Sequence, residues 1–265
     1  MNRSVTRFRR ITGAAAGVAA TTQLAAWLAS RRAGRVNVVD VAWGPGIAGI
    51  AATSALLGHG RPARRWLLAG SVGAWATRLA VHVHHAGAGR GEDPRYQRML
   101  DGAGTAKKVV KVFVLQGALQ WLISLPLQAN AAARDNSTRT SAIDTIAATL
   151  GAALIAAGGI TEAAADRQKA NWKKDPQHGP VMDRGLWSYS RHPNYLGDAA
   201  LWWGVYLAAA PRKAWWTVVS PAAITWLLVF GSGAKPAEKL RDGDADYAAY
   251  QRRVSFFLPR PPKSL

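Results

Sequence analysis

The sequence predicts an all-α, polytopic membrane protein of about seven transmembrane helices, on three observations. Apolar residues are grouped into blocks of about 15–22, the length a helix needs to cross a bilayer. Lys and Arg gather in the gaps between those blocks. The 265 residues include no cysteine, which removes disulfides, thiolate catalysis and cysteine-based metal sites. The Ala-rich makeup holds mean hydropathy near zero.

The first block, 12–30, follows the basic start Arg3, Arg7, Arg9, Arg10. That start, with Leu28-Ala29-Ser30 ahead of Arg31, also has the outline of a signal peptide. The block is read as a retained span. The second, 38–58, holds Asp40 near its start, and Gly44-Pro45-Gly46 is expected to interrupt its helix. The third, 65–83, contains Arg78 and His82. Blocks 109–129 and 142–165 follow, separated by a polar loop over 130–141. The last two, 197–210 and 214–233, are joined by Pro211-Arg212-Lys213, read as a tight hairpin.

Seven spans put the termini on opposite sides, so the basic residues decide orientation. With the C-terminus inside, 31–37, 84–111, 166–193 and 234–265 hold about 22 Lys and Arg, against about 11 outside. The expectation is an N-terminus outside and a cytoplasmic C-terminus, in the inner (plasma) membrane of a cell. Residues 1–265 then form one membrane domain, with polar segments 166–198 and 234–260 on the cytoplasmic side. The net charge of +19 could suggest nucleic acid. Its placement between apolar blocks, away from aromatic stacking positions, argues against that partner.

Residues 185–198, Gly-Leu-Trp-Ser-Tyr-Ser-Arg-His-Pro-Asn-Tyr-Leu-Gly-Asp, run straight into the sixth block. Arg191, His192, Asn194, Tyr195 and Asp198 therefore stand at the mouth of a membrane helix, where polar groups are costly without a function. Pro193 suits the first helical position, and the exposed amides beyond it favour an anion. Asn194 and Asp198 are four apart and share a face; the bland reading of Asp198 is a carboxylate favoured by the helix dipole. Glu162, Asp166, Lys169 and Lys173 likewise line one face. Such a row can recognise a ribose hydroxyl and phosphates, or be a solvated helix end with ordinary ion pairs.

In the second block, burial raises an aspartate's pKa, so Asp40 could stay protonated and donate a hydrogen bond. It could equally cap a helix or pair with Arg78. Arg78, His82 and His85 share one face of the third block, while His84 points elsewhere, so no metal site is read there. In the tail, Glu238, Tyr250 and Arg253 precede Phe256-Phe257-Leu258-Pro259; an interfacial amphipathic helix is the plain reading.

Together, the long motif over 185–198, Val-Asp-Val-Ala-Trp-Gly, Arg-Gly-Glu-Asp-Pro-Arg-Tyr and Tyr-Gln-Arg-Arg-Val-Ser-Phe-Phe-Leu-Pro-Arg-Pro-Pro resemble the bacterial branch of the steroid 5-alpha-reductase superfamily. The resemblance runs from about residue 36 to 263. It implies seven transmembrane helices, NADPH bound from the cytoplasmic side, and reduction of an activated carbon–carbon double bond in an apolar substrate from the bilayer. By position it implies that Asn194 meets the nicotinamide, Asp198 stands where the family has an acid, and Asp166 meets the nucleotide. Lys173 then takes the place of an arginine, and Tyr250 and Arg253 help to close the cofactor site. The family's catalytic Glu–Tyr pair has no clear match; Asp40 stands for the Glu, and the third block offers Arg78 and His82 where a Tyr is expected. Asp40, Arg78 and His82 are the catalytic candidates.

Two alternatives stand beside this reading. Membrane methyltransferases of prenylcysteine carboxylates share an Arg-His-Pro-x-Tyr motif and use S-adenosylmethionine. A lipid- or sterol-binding membrane protein could keep the scaffold without catalysis.

Overall fold

The computed structural model describes residues 3–87, 89, 91–133, 141–209 and 214–263, the side chain of Arg95 aside. Among them are helices and turns but no strand. In chain order the helices are α1 (Arg3–Ala33), α2 (Trp43–Leu57), α3 (Pro62–Gly87), α4 (Pro94–Leu100), α5 (Thr105–Ile123), α6 (Leu125–Ala132), α7 (Ala142–Lys174), α8 (Pro193–Ala208), α9 (Val219–Trp226), α10 (Ala234–Lys239) and α11 (Ala245–Arg253). The described residues of each of the seven apolar blocks are mostly helical.

Among the described residues four helical stretches are long and apolar enough to cross a membrane: Arg3–Ala33, Asn37–Leu57, Ala142–Lys174 and Trp215–Lys239. A fifth is added if α5 and α6, bent by 47° at Ser124, count as one span. The other two blocks fall short for separate reasons. Arg78 and His82 dilute the apolar character of α3. At 16 residues, α8 is about 24 Å long, less than the roughly 30 Å hydrocarbon core. The 211–213 hairpin, Arg90 and the middle of the 130–141 loop lie outside the described residues.

The expected break at Gly44-Pro45-Gly46 is corrected. These residues open α2, where Pro in the first turn removes no hydrogen bond. The departure from α geometry comes earlier, in a 3-10 turn over Asn37–Ala42 that runs on into α2. The two glycines serve packing. A Cβ on Gly44 would strike the Ala76 carbonyl on α3, and one on Gly46 would lie 2.5 Å from the Gln120 amide on α5.

The residues group into two compact units. The first comprises Met1–Thr145 and Ala208–Ser220. Its core includes Ala26, Val39, Leu100, Val112 and Phe113, and a second cluster of Ala15, Ala19 and Ile50. Phe8 meets the edge of Trp216 with ring centroids 5.6 Å apart, and Asn130 donates to the Ala209 carbonyl at 2.9 Å.

The second unit comprises Ile146–Leu207 and Pro221–Leu265, and contains both polar segments, 166–198 and 234–260. Here α7 and α8 touch through glycine. A Cβ on Gly158 would lie 2.5 Å from the Gly197 carbonyl, and one on Gly197 would lie 2.6 Å from the Glu162 amide nitrogen. One Gly204 Cβ would lie 2.7 Å from the Gly151 carbonyl. Small residues let backbones approach this closely. The contact sets the rows Glu162–Asp166 and Asn194–Asp198 side by side.

Candidate functional site

In the second unit α7 and α8 carry a buried polar row. Glu162, Asp166 and Asp198 are 4%, 9% and 8% exposed, burial that carboxylates rarely reach without partners. The Asn194 Nδ2 amide donates to Asp166 Oδ1 at 3.2 Å. Its carboxamide oxygen is buried and accepts no hydrogen bond from the protein. A buried acceptor without a donor is costly, so this atom is suited to an N–H or O–H from a ligand. Lys169 sits half-buried with its ammonium 4.5 Å from the centre of the Trp187 ring, while Lys173 is exposed.

The turn before α8 is fastened to α7. Trp187 Nε1 donates to the Ala165 carbonyl at 3.0 Å, and the Leu186 amide donates to Gln168 Oε1 at 3.0 Å. Gly185 is left-handed, φ 59°, and a Cβ there would lie 2.7 Å from Gln168 Oε1. The left-handed backbone strains any L side chain at this position, and the Gln168 amide would also have to move aside.

Arg191, His192 and Glu238 form one cluster. Arg191 grips Glu238 from Nε at 2.7 Å and Nη2 at 3.2 Å, a two-point ion pair with side chains only 11% and 13% exposed. Its Nη1 donates to the carbonyls of Gln251 at 2.9 Å and Val254 at 3.2 Å. The Arg191 guanidinium thus spends four of its N–H bonds inside the protein, and its role here is to tie α8 to the tail. His192 Nε2 donates to Glu238 Oε1 at 2.9 Å, which assigns the proton of the neutral ring to Nε2. Burial holds His192 below the usual histidine pKa, against the pull of Glu238. Tyr195 stacks on His192, with centroids 5.8 Å apart and planes 11° apart.

The tail closes on the same place. Tyr247 and Gln251 donate to Glu238 at 3.3 and 3.1 Å. Ser190 donates to the Phe257 carbonyl at 2.7 Å, and the Arg191 amide to the Ser255 carbonyl at 2.9 Å. Asp244 caps α11 by accepting from the Tyr247 amide at 3.0 Å. The buried Tyr250 hydroxyl donates to the Trp187 carbonyl at 2.6 Å, and burial pushes both Tyr247 and Tyr250 up from the usual phenol range. Arg253 pairs with Asp183 at 3.0 Å. Tyr250 and Arg253 therefore anchor the tail onto the 183–187 segment.

The first unit carries its own polar centre. Asp40, in the 3-10 turn, accepts from the Tyr96 hydroxyl at 2.6 Å, and that hydroxyl accepts from Gln116 Nε2 at 3.0 Å. Glu92 fixes the turn by accepting from the amides of Val36 and, at 2.9 Å, Asn37. Gln120 Nε2 donates to the Ala42 carbonyl at 3.0 Å. Arg78 and His82 stand four apart on α3, half-buried. Among the described residues no group of three His, Cys, Asp or Glu is placed to hold a metal ion.

Tyr96 and Gln116 are the residues that sequence reasoning missed. Tyr96 closes the motif Arg-Gly-Glu-Asp-Pro-Arg-Tyr, beyond the third block in which a tyrosine is expected. Pro94 starts a separate helix, α4, which turns Tyr96 back onto Asp40. The signal was the helix start at Pro94, two residues earlier.

Residues 26–254 match the family described as proteins of unknown function, DUF1295, and the chain belongs to that family. No curated protein and no solved structure matches the chain.

Proposed function

We propose that this is a seven-span membrane reductase with its C-terminus in the cytoplasm, resident in the inner membrane, which uses NADPH to reduce an activated carbon–carbon double bond in an apolar substrate. One observation supports this above the others: Asn194 offers a buried carboxamide oxygen with no donor from the protein, beside the buried carboxylate of Asp166. The residues present fit the cofactor. A nicotinamide carboxamide has the N–H that Asn194 Oδ1 needs, and Asp166 is an acceptor of the kind that reads a ribose hydroxyl. Lys169 and Lys173 supply positive charge for phosphates. Arg191, His192, Tyr195, Glu238, Tyr250 and Arg253 keep the tail closed on the turn before α8.

NADPH, when bound, supplies the hydride. The chain's own part is to hold donors where negative charge develops on the substrate oxygen. Asp40, whose Oδ1 accepts from the Tyr96 hydroxyl that Gln116 holds in place, is the candidate acid for that charge. Arg78 and His82 are further donors on α3 for the same charge. On this reading Asp40 and Tyr96 serve as the acid–tyrosine pair that the resemblance to steroid 5-alpha-reductases implies.

The test is thermal stability of the detergent-purified chain against NADPH, NADH and S-adenosylmethionine, because a ligand that binds only the folded state raises the melting temperature. NADPH should stabilise the native chain and not Asn194→Ala; Asp40→Ala should keep the shift and lose turnover. Stabilisation by S-adenosylmethionine alone would favour a methyltransferase, and no response to any of the three a non-catalytic lipid-binding protein.

A further inference from the structure

A groove of about 830 Å³ lies between α1 and α5, in the first unit. That is within the range of small-molecule sites, roughly 300–1,000 Å³. Its walls are apolar and aromatic, including Trp27, Phe113 and Trp121, and none of the described residues that line it is charged. Leu24 on its rim is 55% exposed. Both flanking helices belong to stretches apolar enough to lie in a membrane, so the groove would open toward lipid.

Gln23 is the one amide in that wall. The residue is 5% exposed, and both its Nε2 and its Oε1 are buried without a hydrogen bond from the protein. Gly117 on α5 makes room for it, since a Cβ there would lie 3.1 Å from the Gln23 Cγ. Hydrocarbon can satisfy neither atom.

We propose that this groove binds a lipid alcohol: an apolar body lies along α1 and α5, and one hydroxyl meets Gln23. A hydroxyl both donates and accepts, so a single such group can serve Oε1 and Nε2 together. An ionised head group is disfavoured, because the walls offer it no counter-charge. An ether supplies an acceptor only, and an alkane neither. The site is independent of the reductase reading, because it involves no residue assigned to cofactor or catalysis.

The experiment uses the full chain in phospholipid nanodiscs, labelled with a diazirine-bearing hexadecanol and mapped by peptide mass spectrometry. Hexadecan-1-ol, 1-methoxyhexadecane and hexadecane compete with the label. In the native chain the label should map to 16–27 and 106–121, and the alcohol should compete at about tenfold lower concentration than the ether, the effect of one intramembrane hydrogen bond. In Gln23→Leu, which keeps the volume and removes both polar atoms, that preference should fall to about one. Gly117→Leu should abolish labelling by filling the groove. Equal competition by alcohol and ether in the native chain overturns the proposal without any variant. So does labelling elsewhere, a preference that survives Gln23→Leu, or two copies cross-linking through Leu24 in place of labelling.

Discussion

Replacing Glu238 by Ala should loosen the whole tail. Glu238 accepts from Arg191 at two points, from His192, from Tyr247 and from Gln251. Its loss leaves the Arg191 guanidinium only 11% exposed and without its carboxylate. Removing one partner of a buried pair costs about 3–5 kcal/mol, and the residual exposure of this pair places the expectation at the lower end, about 3. For a chain of this size each kcal/mol lowers the melting temperature by about 2–4 °C, so the expected drop is about 6–12 °C. Thermal unfolding in detergent reads the drop, and limited proteolysis should cut first between 245 and 263. The double variant Arg191→Leu with Glu238→Leu removes both charges and should melt above Glu238→Ala, since paired removal is often close to neutral. A Glu238→Ala chain melting within about 1 °C of the native one would refute the clamp. A double variant no more stable than the single would refute the reasoning that the unpaired charge is what destabilises.

The glycine seam between α7 and α8 should be sharply position-dependent. Gly158→Ala places a Cβ 2.5 Å from the Gly197 carbonyl and should destabilise by about 1–3 kcal/mol, whereas Gly159→Ala, whose Cβ would lie 3.6 Å from Leu201, should be tolerated; thermal unfolding of the two compares them. Because burial holds His192 below the usual histidine pKa, the unfolded chain takes up the proton first, so stability rises with pH. It should be lost as pH falls through the ordinary histidine range near about 6.5, and His192→Gln should flatten that part of the melting curve against pH. Tyr96→Phe should spare NADPH stabilisation and lower turnover by about 10–10²-fold, the scale of one hydrogen bond to a carboxyl that it orients; unchanged turnover would remove Tyr96 from the chemistry.

Block positions were legible because bilayer length and hydropathy act on each segment alone. All seven blocks therefore fall on helices, while the short α8 shows where that reasoning stops. Its 16 residues are too few by length, and its place is set by Gly197 and Gly204 against Gly158 and Gly151. Those glycines recur at a spacing of seven on both helices, a pattern visible in the sequence that names a contact only once its partner helix is known. The pairing of Asp166 with Asn194 follows from that seam, since each residue belongs to an i,i+4 row and the seam sets the rows side by side.

What single-residue chemistry does not disclose is which polar groups spend themselves on one another. Arg191 beside a helix start reads as an anion site, yet Glu238, 47 positions later, takes its fork and the tail carbonyls take the rest. Asn194 makes the opposite case. One of its two amide atoms is engaged by Asp166 and the other is left buried with no donor. A folded chain satisfies its buried polar groups almost everywhere, so the atoms it leaves unsatisfied carry more information about a ligand than the charges do. By that criterion Asn194, and not Arg191, is the residue of the Arg-His-Pro-Asn-Tyr segment from which a cofactor should be sought.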